Sequence, residues 1–383
     1  NPQSPIPNPQ SPLYLFIISN NTSFFIILFN QLSILKMSNN NDTPPLINQS
    51  QTNPSLPIKN ETPKMPNNSL DKTGIIEVYK ENFVQELKNL SALLEDYNYI
   101  GMDTEFPGTV YSIKNMTEDF YYKSLKTNVD NLKLIQLGIT IMNEKGEYPK
   151  NYPYHTWQFN LEFDKNVDKF HPSSINLLKQ SGIDFEKLKK RGINHHLFAQ
   201  YFMTSNLVLN EEIVWVSFQG SYDFGYLLKL LLGTELPEKE EDFINSLNIY
   251  FENYYDIRML VKGYQNMQGG LNRLAEQLKV QRLGMIHQAG SDSMLTLDVF
   301  FKLIQGGYIS DIKLKELKNI LHGIGEGRDN DETINYTQIV NSNYQNNTSN
   351  NIMNVNMTPI NTNFWNVNVN YYNYPIMING QNP

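Results

Sequence analysis

The chain has 383 residues, a formal net charge of -8 and no cysteine. The length allows one large or two modest domains, and the charge excludes a bulk basic field that would gather nucleic acid non-specifically. The missing cysteine excludes a disulfide framework, thiolate metal sites and a thiolate nucleophile.

Leu13 to Leu35 (LYLFIISNNTSFFIILFNQLSIL) is apolar enough to suggest a signal peptide or a membrane span. Polar breaks at Ser19 to Ser23 and at Asn30 and Gln31 argue against both, as does the lack of a basic flank or a small-residue cleavage site. The first methionine is Met37. We expect translation to start there, with residues 1–36 as upstream sequence and no membrane attachment; an intact mass that retains those residues would contradict this. Residues 37–72 are rich in Asn, Pro, Ser and Thr without apolar periodicity, and are expected to be a disordered leader.

Between Thr73 and Tyr97, the residues Ile76, Val78, Phe83, Leu87, Leu90 and Leu94 keep near-helical spacing and predict an amphipathic helix. Three strands are predicted next, at 99–106, 132–143 and 155–163, with the turn signal NEKGEYP between the last two. A helix-rich stretch covers 168–206. EIVWVSFQGSYDFGYLLKLLLG then reads as a strand, a Gly-Ser turn and a helix stopped at Gly233. YYDIRMLVKGY predicts a short strand running into a helix that Asp256 caps. GGLNRLAEQLKV and HQAGSDSMLTLDVFFKLIQGG predict two further helices. Past about residue 325 the chain turns to Asn, Tyr and Ser, so 326–383 is expected to be a disordered tail. The folded part, 73–325, is thus expected to be one α/β domain with a mixed sheet flanked by helices.

Chemistry enters at YIGMDTEFPG. Asp103 and Glu105 lie two apart on an apolar strand and therefore share a face, at the strand end where α/β sheets bind ligands. Burying two carboxylates there is costly without a positive partner, and hard oxygen ligands favour Mg²⁺ or Mn²⁺ over zinc. The pair could equally be solvated on an edge strand. Asp223 and Asp292 each occupy the start of a predicted helix, where an acid also serves as a cap. His287 falls in the loop entering the helix of Asp292; it reads either as a surface histidine or as a proton acceptor beside a metal-bound water.

In order, the strand Asp-x-Glu, the later Asp, and the His followed by Asp five residues on resemble the DEDD superfamily of 3′→5′ exonucleases in its histidine branch. The longer words MDTEFPG, NVDNLKLIQLGIT, TWQFN, YDFGYLLK, GGLNRLAEQL and HQAGSDSMLT look like the Caf/Pop-type poly(A) deadenylases of the Ccr–Not complex, over about 73–325. The resemblance implies a ribonuclease-H-like fold. It further implies a metal-dependent exoribonuclease that removes 5′-nucleotides from a 3′ poly(A) end. Two divalent ions, Mg²⁺ or Mn²⁺, would be held by Asp103, Glu105, Asp223 and Asp292, with Asp103 bridging both and His287 as general base. Phe106 could stack on or wedge against the terminal base, or simply pack at the strand end. Gln219 in SFQGSYDFGY replaces a histidine that animal members commonly carry, which puts rate or metal preference in question. Implied partners are a Not scaffold and a second deadenylase, and the implied locations are cytoplasm and nucleus. Two other readings stay open: a non-catalytic adaptor on the same fold, and a related exonuclease with another nucleic-acid preference.

Overall fold

The computed structural model describes residues 73–113 and 119–328. The apolar segment before Met37, the Asn/Pro-rich leader and the tail beyond Arg328 lie outside the described residues. Six strands form one sheet: β1 (Ile75–Val78), β2 (Tyr99–Glu105), β3 (Gln136–Met142), β4 (Thr156–Asn160), β5 (Val214–Ser217) and β6 (Tyr254–Asp256), in the order β1-β4-β3-β2-β5-β6. β3 runs antiparallel to both neighbours, and the β1–β4, β2–β5 and β5–β6 pairs are parallel. This is the expected ribonuclease-H-like mixed sheet. Every residue of β3 is buried; Leu137, Ile139 and Ile141 share one face, and Gln136, Gly138 and Thr140 the other, which α10 covers.

The helices are α1 (Phe83–Ser91), α2 (Phe120–Asn131), α3 (Pro172–Gln180), α4 (Phe185–Arg191), α5 (His195–Phe202), α6 (Ser221–Leu232), α7 (Glu240–Tyr250), α8 (Ile257–Leu260), α9 (Leu271–Leu278), α10 (Ala289–Gln305) and α11 (Asp311–Glu316). Gly233 ends α6 in a left-handed conformation at φ 67°, as predicted. Among the described residues no helix is long and apolar enough to cross a membrane.

One expectation is corrected. Helix does not run through the stretch that begins at Ile75; it starts at Phe83. Ile75 to Val78 pair with Thr156 to Phe159 as the edge strand β1. Asn82 then breaks the run, its side chain accepting the Tyr79 N–H (2.8 Å) and donating to the Glu77 carbonyl (3.0 Å). The apparent helical period was a strand and a helix joined by a turn.

The packing of α10 positions the site. A Cβ at Gly101 on β2 would collide with the Ser293 carbonyl and Leu297, and one at Gly138 on β3 with the backbone of Ala289 and Gly290. Only glycine lets α10 lie this close to the sheet. Alternation along β2 puts Gly101, Asp103 and Glu105 on one face, so the helix that covers Gly101 also brings Asp292 to the two acids. Thr104 points to the other face, towards α6.

Candidate active site

β2 ends as it does because Pro107 follows Phe106 and cannot donate to a ladder, and its carbonyl instead accepts the His171 N–H at 2.8 Å. Asp103 and Glu105, at that end, are half-buried. Asp292 lies in the first turn of α10 and is buried. Its Oδ2 accepts the His287 backbone N–H (3.0 Å) and its Oδ1 accepts from Arg282 Nη2 (2.6 Å). His287 takes a left-handed backbone, φ 61°, a conformation uncommon for a residue other than glycine. A carboxylate oxygen from each of Glu105 and Asp292 and a ring nitrogen of His287 lie within 4.8 Å of one another.

Asp103 and Glu105 are held well above the usual carboxylate range, first by burial and then by the charges of Asp292 and Asp223, with Glu105 adding to the effect on Asp103. Arg282 opposes this for both. Asp223, in the first turn of α6, is buried and raised to about 6, chiefly by burial and against the hydrogen bond it accepts from the Thr104 hydroxyl (2.5 Å). No hydrogen bond from any described residue reaches the carboxylates of Asp103 or Glu105. The arrangement is therefore short of positive charge, and its donor set of hard oxygens and one imidazole suits a divalent cation.

A family profile described as CAF1 family ribonuclease matches residues 78–206. The chain is 44% identical to the probable CCR4-associated factor 1 homolog 7 of Arabidopsis thaliana, over 67% of this chain and 94% of that protein. It is 40% identical to the poly(A) ribonuclease pop2 of Schizosaccharomyces pombe, over 66% of this chain and 75% of that one. The chain belongs to the CAF1 family of ribonucleases. Among solved structures, S. pombe Pop2p in its Mg²⁺- and Mn²⁺-bound form is similar with a TM-score of 0.62 and 38% identity, covering 66% of this chain and all of that one. Yeast CAF1 co-crystallised with the NOT1 MIF4G domain is similar with a TM-score of 0.57 and 29% identity, covering 67% and 99%.

Within this CAF1 domain, Glu105, His287 and Asp292 form the tightest group, and Asp103 and Asp223 are close enough for their charges to act on it. Phe106 stacks on Tyr222, with centroids 5.4 Å apart and planes 12° from parallel, and also meets Tyr226 at 5.1 Å. Its ring thus belongs to an aromatic wall at the strand end. Gln219 has a left-handed backbone, φ 56°, and donates its N–H to Asp256 Oδ1 at 2.9 Å. Asp256 does cap α8, accepting the Arg258 N–H, and also accepts from Gly220 and His322.

Sequence reasoning missed Arg282, whose guanidinium also donates to Ser291 Oγ (2.9 Å) and Asn272 Oδ1 (2.8 Å). It missed Thr104 as well, and a set of buried amides beneath His287. The amides had a visible signal, because Gln136, Gln158 and Asn160 are amide side chains in strands whose other residues are apolar, glycine or threonine.

Proposed function

We propose that the protein is a metal-dependent 3′→5′ exoribonuclease that shortens poly(A) tails and releases 5′-AMP by two-metal hydrolysis. One observation carries the reading: ligand atoms of Glu105, His287 and Asp292 converge within 4.8 Å, and neither Glu105 nor Asp103 accepts a hydrogen bond from any described residue. The S. pombe Pop2p neighbour, bound to Mg²⁺ and Mn²⁺, supports it. Asp103, Glu105, Asp223 and Asp292 would hold the two ions. When bound, such ions lower the pKa of a water and stabilise charge on the attacking and leaving oxygens of an in-line displacement.

The chain's own groups do the rest. His287 takes the proton of the attacking water at a ring nitrogen. Arg282 fixes Asp292 through one oxygen while the His287 N–H fixes the other. Thr104 orients Asp223 from the opposite face of β2. Phe106, backed by Tyr222, offers a flat apolar edge to the 3′-terminal base, and Gln219 stands where the chain enters α6. The likeness to yeast CAF1 co-crystallised with the NOT1 MIF4G domain supports a Not-type scaffold as partner; a second deadenylase in that assembly and action in cytoplasm and nucleus are proposed from the family resemblance alone.

The test is incubation of purified protein with 5′-labelled RNAs ending in A, U or C tracts, with and without Mg²⁺ or Mn²⁺. The expected result is stepwise shortening from the 3′ end, fastest on A tracts and abolished by a chelator and by Asp103→Ala. Wild-type protein inert under every metal would leave an adaptor role; a preference for DNA would favour the related exonucleases.

A further inference from the structure

The first turn of α10 carries Asp292 and joins directly to His287, yet Gln288 at its cap position makes no capping hydrogen bond to its own helix. The first N–H groups of a helix need acceptors, and here the sheet supplies them. Gln158 Oε1 on β4 accepts the Gly290 N–H at 2.8 Å, and Gln136 Oε1 on β3 faces the Ala289 N–H at 3.4 Å. The same two side chains donate through Nε2 to Gln288 Oε1, at 2.7 Å and 3.3 Å. Gln288 Nε2 in turn donates to the Ser181 carbonyl at 2.7 Å. The Ser181 hydroxyl, 2.8 Å from the carbonyls of both Leu178 and His287, closes the ring.

The network is anchored away from the site. Gln158 Nε2 also donates to Glu77 Oε1 (2.8 Å), Asn160 Nδ2 to Glu77 Oε2 (2.6 Å), and Gln136 Nε2 to Asn160 Oδ1 (2.8 Å). Gln136, Gln158 and Asn160 are each no more than 2% exposed. Amides buried so deeply are costly unless partnered, and apolar residues would fill the same strands without that requirement. What apolar residues could not do is grip the His287 carbonyl and the Ala289 and Gly290 N–H groups that follow it. The His287 backbone sits in the left-handed region, which is strained for a residue other than glycine and persists only where the surroundings over-determine it.

We propose that Gln136, Gln158, Gln288 and Ser181 act as positioning residues, a clamp that holds the His287 turn so that its ring stays beside Glu105 and Asp292 before RNA arrives. The inference rests on the role given to His287 above. It deepens that role by naming what fixes the base in place.

The experiment compares Gln288→Met, which keeps the length and removes the amide, and Ser181→Ala, which removes one hydroxyl, with the full-length wild type. Expected for Gln288→Met is a kcat on oligo(A) lower by about tenfold to a hundredfold, the usual cost of losing an orienting partner. KM and the Mn²⁺ concentration for half-activity should stay within about threefold of wild type, because substrate and metal contacts are untouched. Ser181→Ala should show the same pattern more weakly. In metal-free protein, amide hydrogen exchange over 286–290 should be at least about tenfold faster in Gln288→Met, with the rest of the domain unchanged.

Wild-type kcat and exchange in both variants would overturn the clamp. So would a joint collapse of kcat and KM with faster exchange everywhere, since that marks a structural role only. Should Gln288→Met fail to unfold cooperatively, Ser181→Ala decides. Should the wild type itself degrade no RNA, the functional reading falls, and exchange over 286–290 still decides whether the clamp exists.

Discussion

Asp256, at the end of β6, is wholly buried and accepts N–H groups from Gln219, Gly220, Arg258 and His322. Two strands away, at the end of β2, the carboxylates of Asp103 and Glu105 receive no hydrogen bond from any described residue. Burial raises the pKa of all three, so titration alone does not tell the two regions apart. Hydrogen-bond accounting does. An acid saturated by backbone donors holds structure together, here the start of α6, the start of α8 and the segment carrying His322. A group of acids short of donors is built for a cation that the chain does not itself provide.

The comparison can be broken most sharply by exchanging charge for neutrality in each region. Asp103→Asn should lower kcat at least about a thousandfold, near 4 kcal/mol of transition-state stabilisation, and leave the metal-free fold as stable as wild type or more so. Asp256→Ala should instead destabilise the fold by about 3–5 kcal/mol, because four N–H groups lose their acceptor. Urea unfolding and single-turnover RNA cleavage on both variants check the pair. Equal destabilisation by the two substitutions would erase the distinction.

A smaller effect follows from metal alone. Mn²⁺ at a hundredfold its dissociation constant should stabilise the wild type by about 2.7 kcal/mol for each site it fills, seen as a higher Tm in calorimetry. Asp103→Asn should lose most of that gain, and Asp256→Ala should keep it.

The smallest expected effect is on pH dependence. Asp223 is raised to about 6 from 3.8, and Asp103 and Glu105 are raised too, so each binds its proton more tightly in the folded chain than in the unfolded one. The folded metal-free protein therefore loses stability as pH climbs from the unfolded carboxylate range through the folded values, and regains it on acidification. Relieving one charge should raise Tm most at high pH. The Tm advantage of Asp103→Asn over wild type should thus grow from about pH 5 to about pH 8, at about 2–4 °C per kcal/mol for a domain of this size. A constant difference would count against charge crowding.

Much of this was legible in the sequence, for local reasons. Asp103 and Glu105 share a face because strand side chains alternate, and Gly233 stops α6 because a left-handed residue was needed there. The buried strands β2 to β5 were visible as apolar runs between turn signals. β1 was not, since four residues of edge strand, joined through a turn to α1, imitate a single helical period. α2, α7 and α11 escaped notice, and their weakly apolar faces take definition from the core they cover. Arg282 escaped for a different reason. It reaches Asp292 only because the chain between α9 and α10 turns back over the first turn of α10, a contact that no spacing rule encodes. The glutamines under His287 stood out as polar residues in buried strands, but their purpose needed the position of α10.

If the acids at the end of β2 are short of positive charge because the site is built for divalent ions, the metal-free protein should bind Mn²⁺ there. Mn²⁺ binding to the metal-free protein, followed by calorimetric titration with electron paramagnetic resonance as a check on free ion, tests it directly. The account predicts two ions per chain in the wild type and at most one weak ion in Asp103→Asn, with Asp256→Asn unchanged if it folds. No saturable binding to the wild type, or the same stoichiometry and affinity in Asp103→Asn, would contradict it.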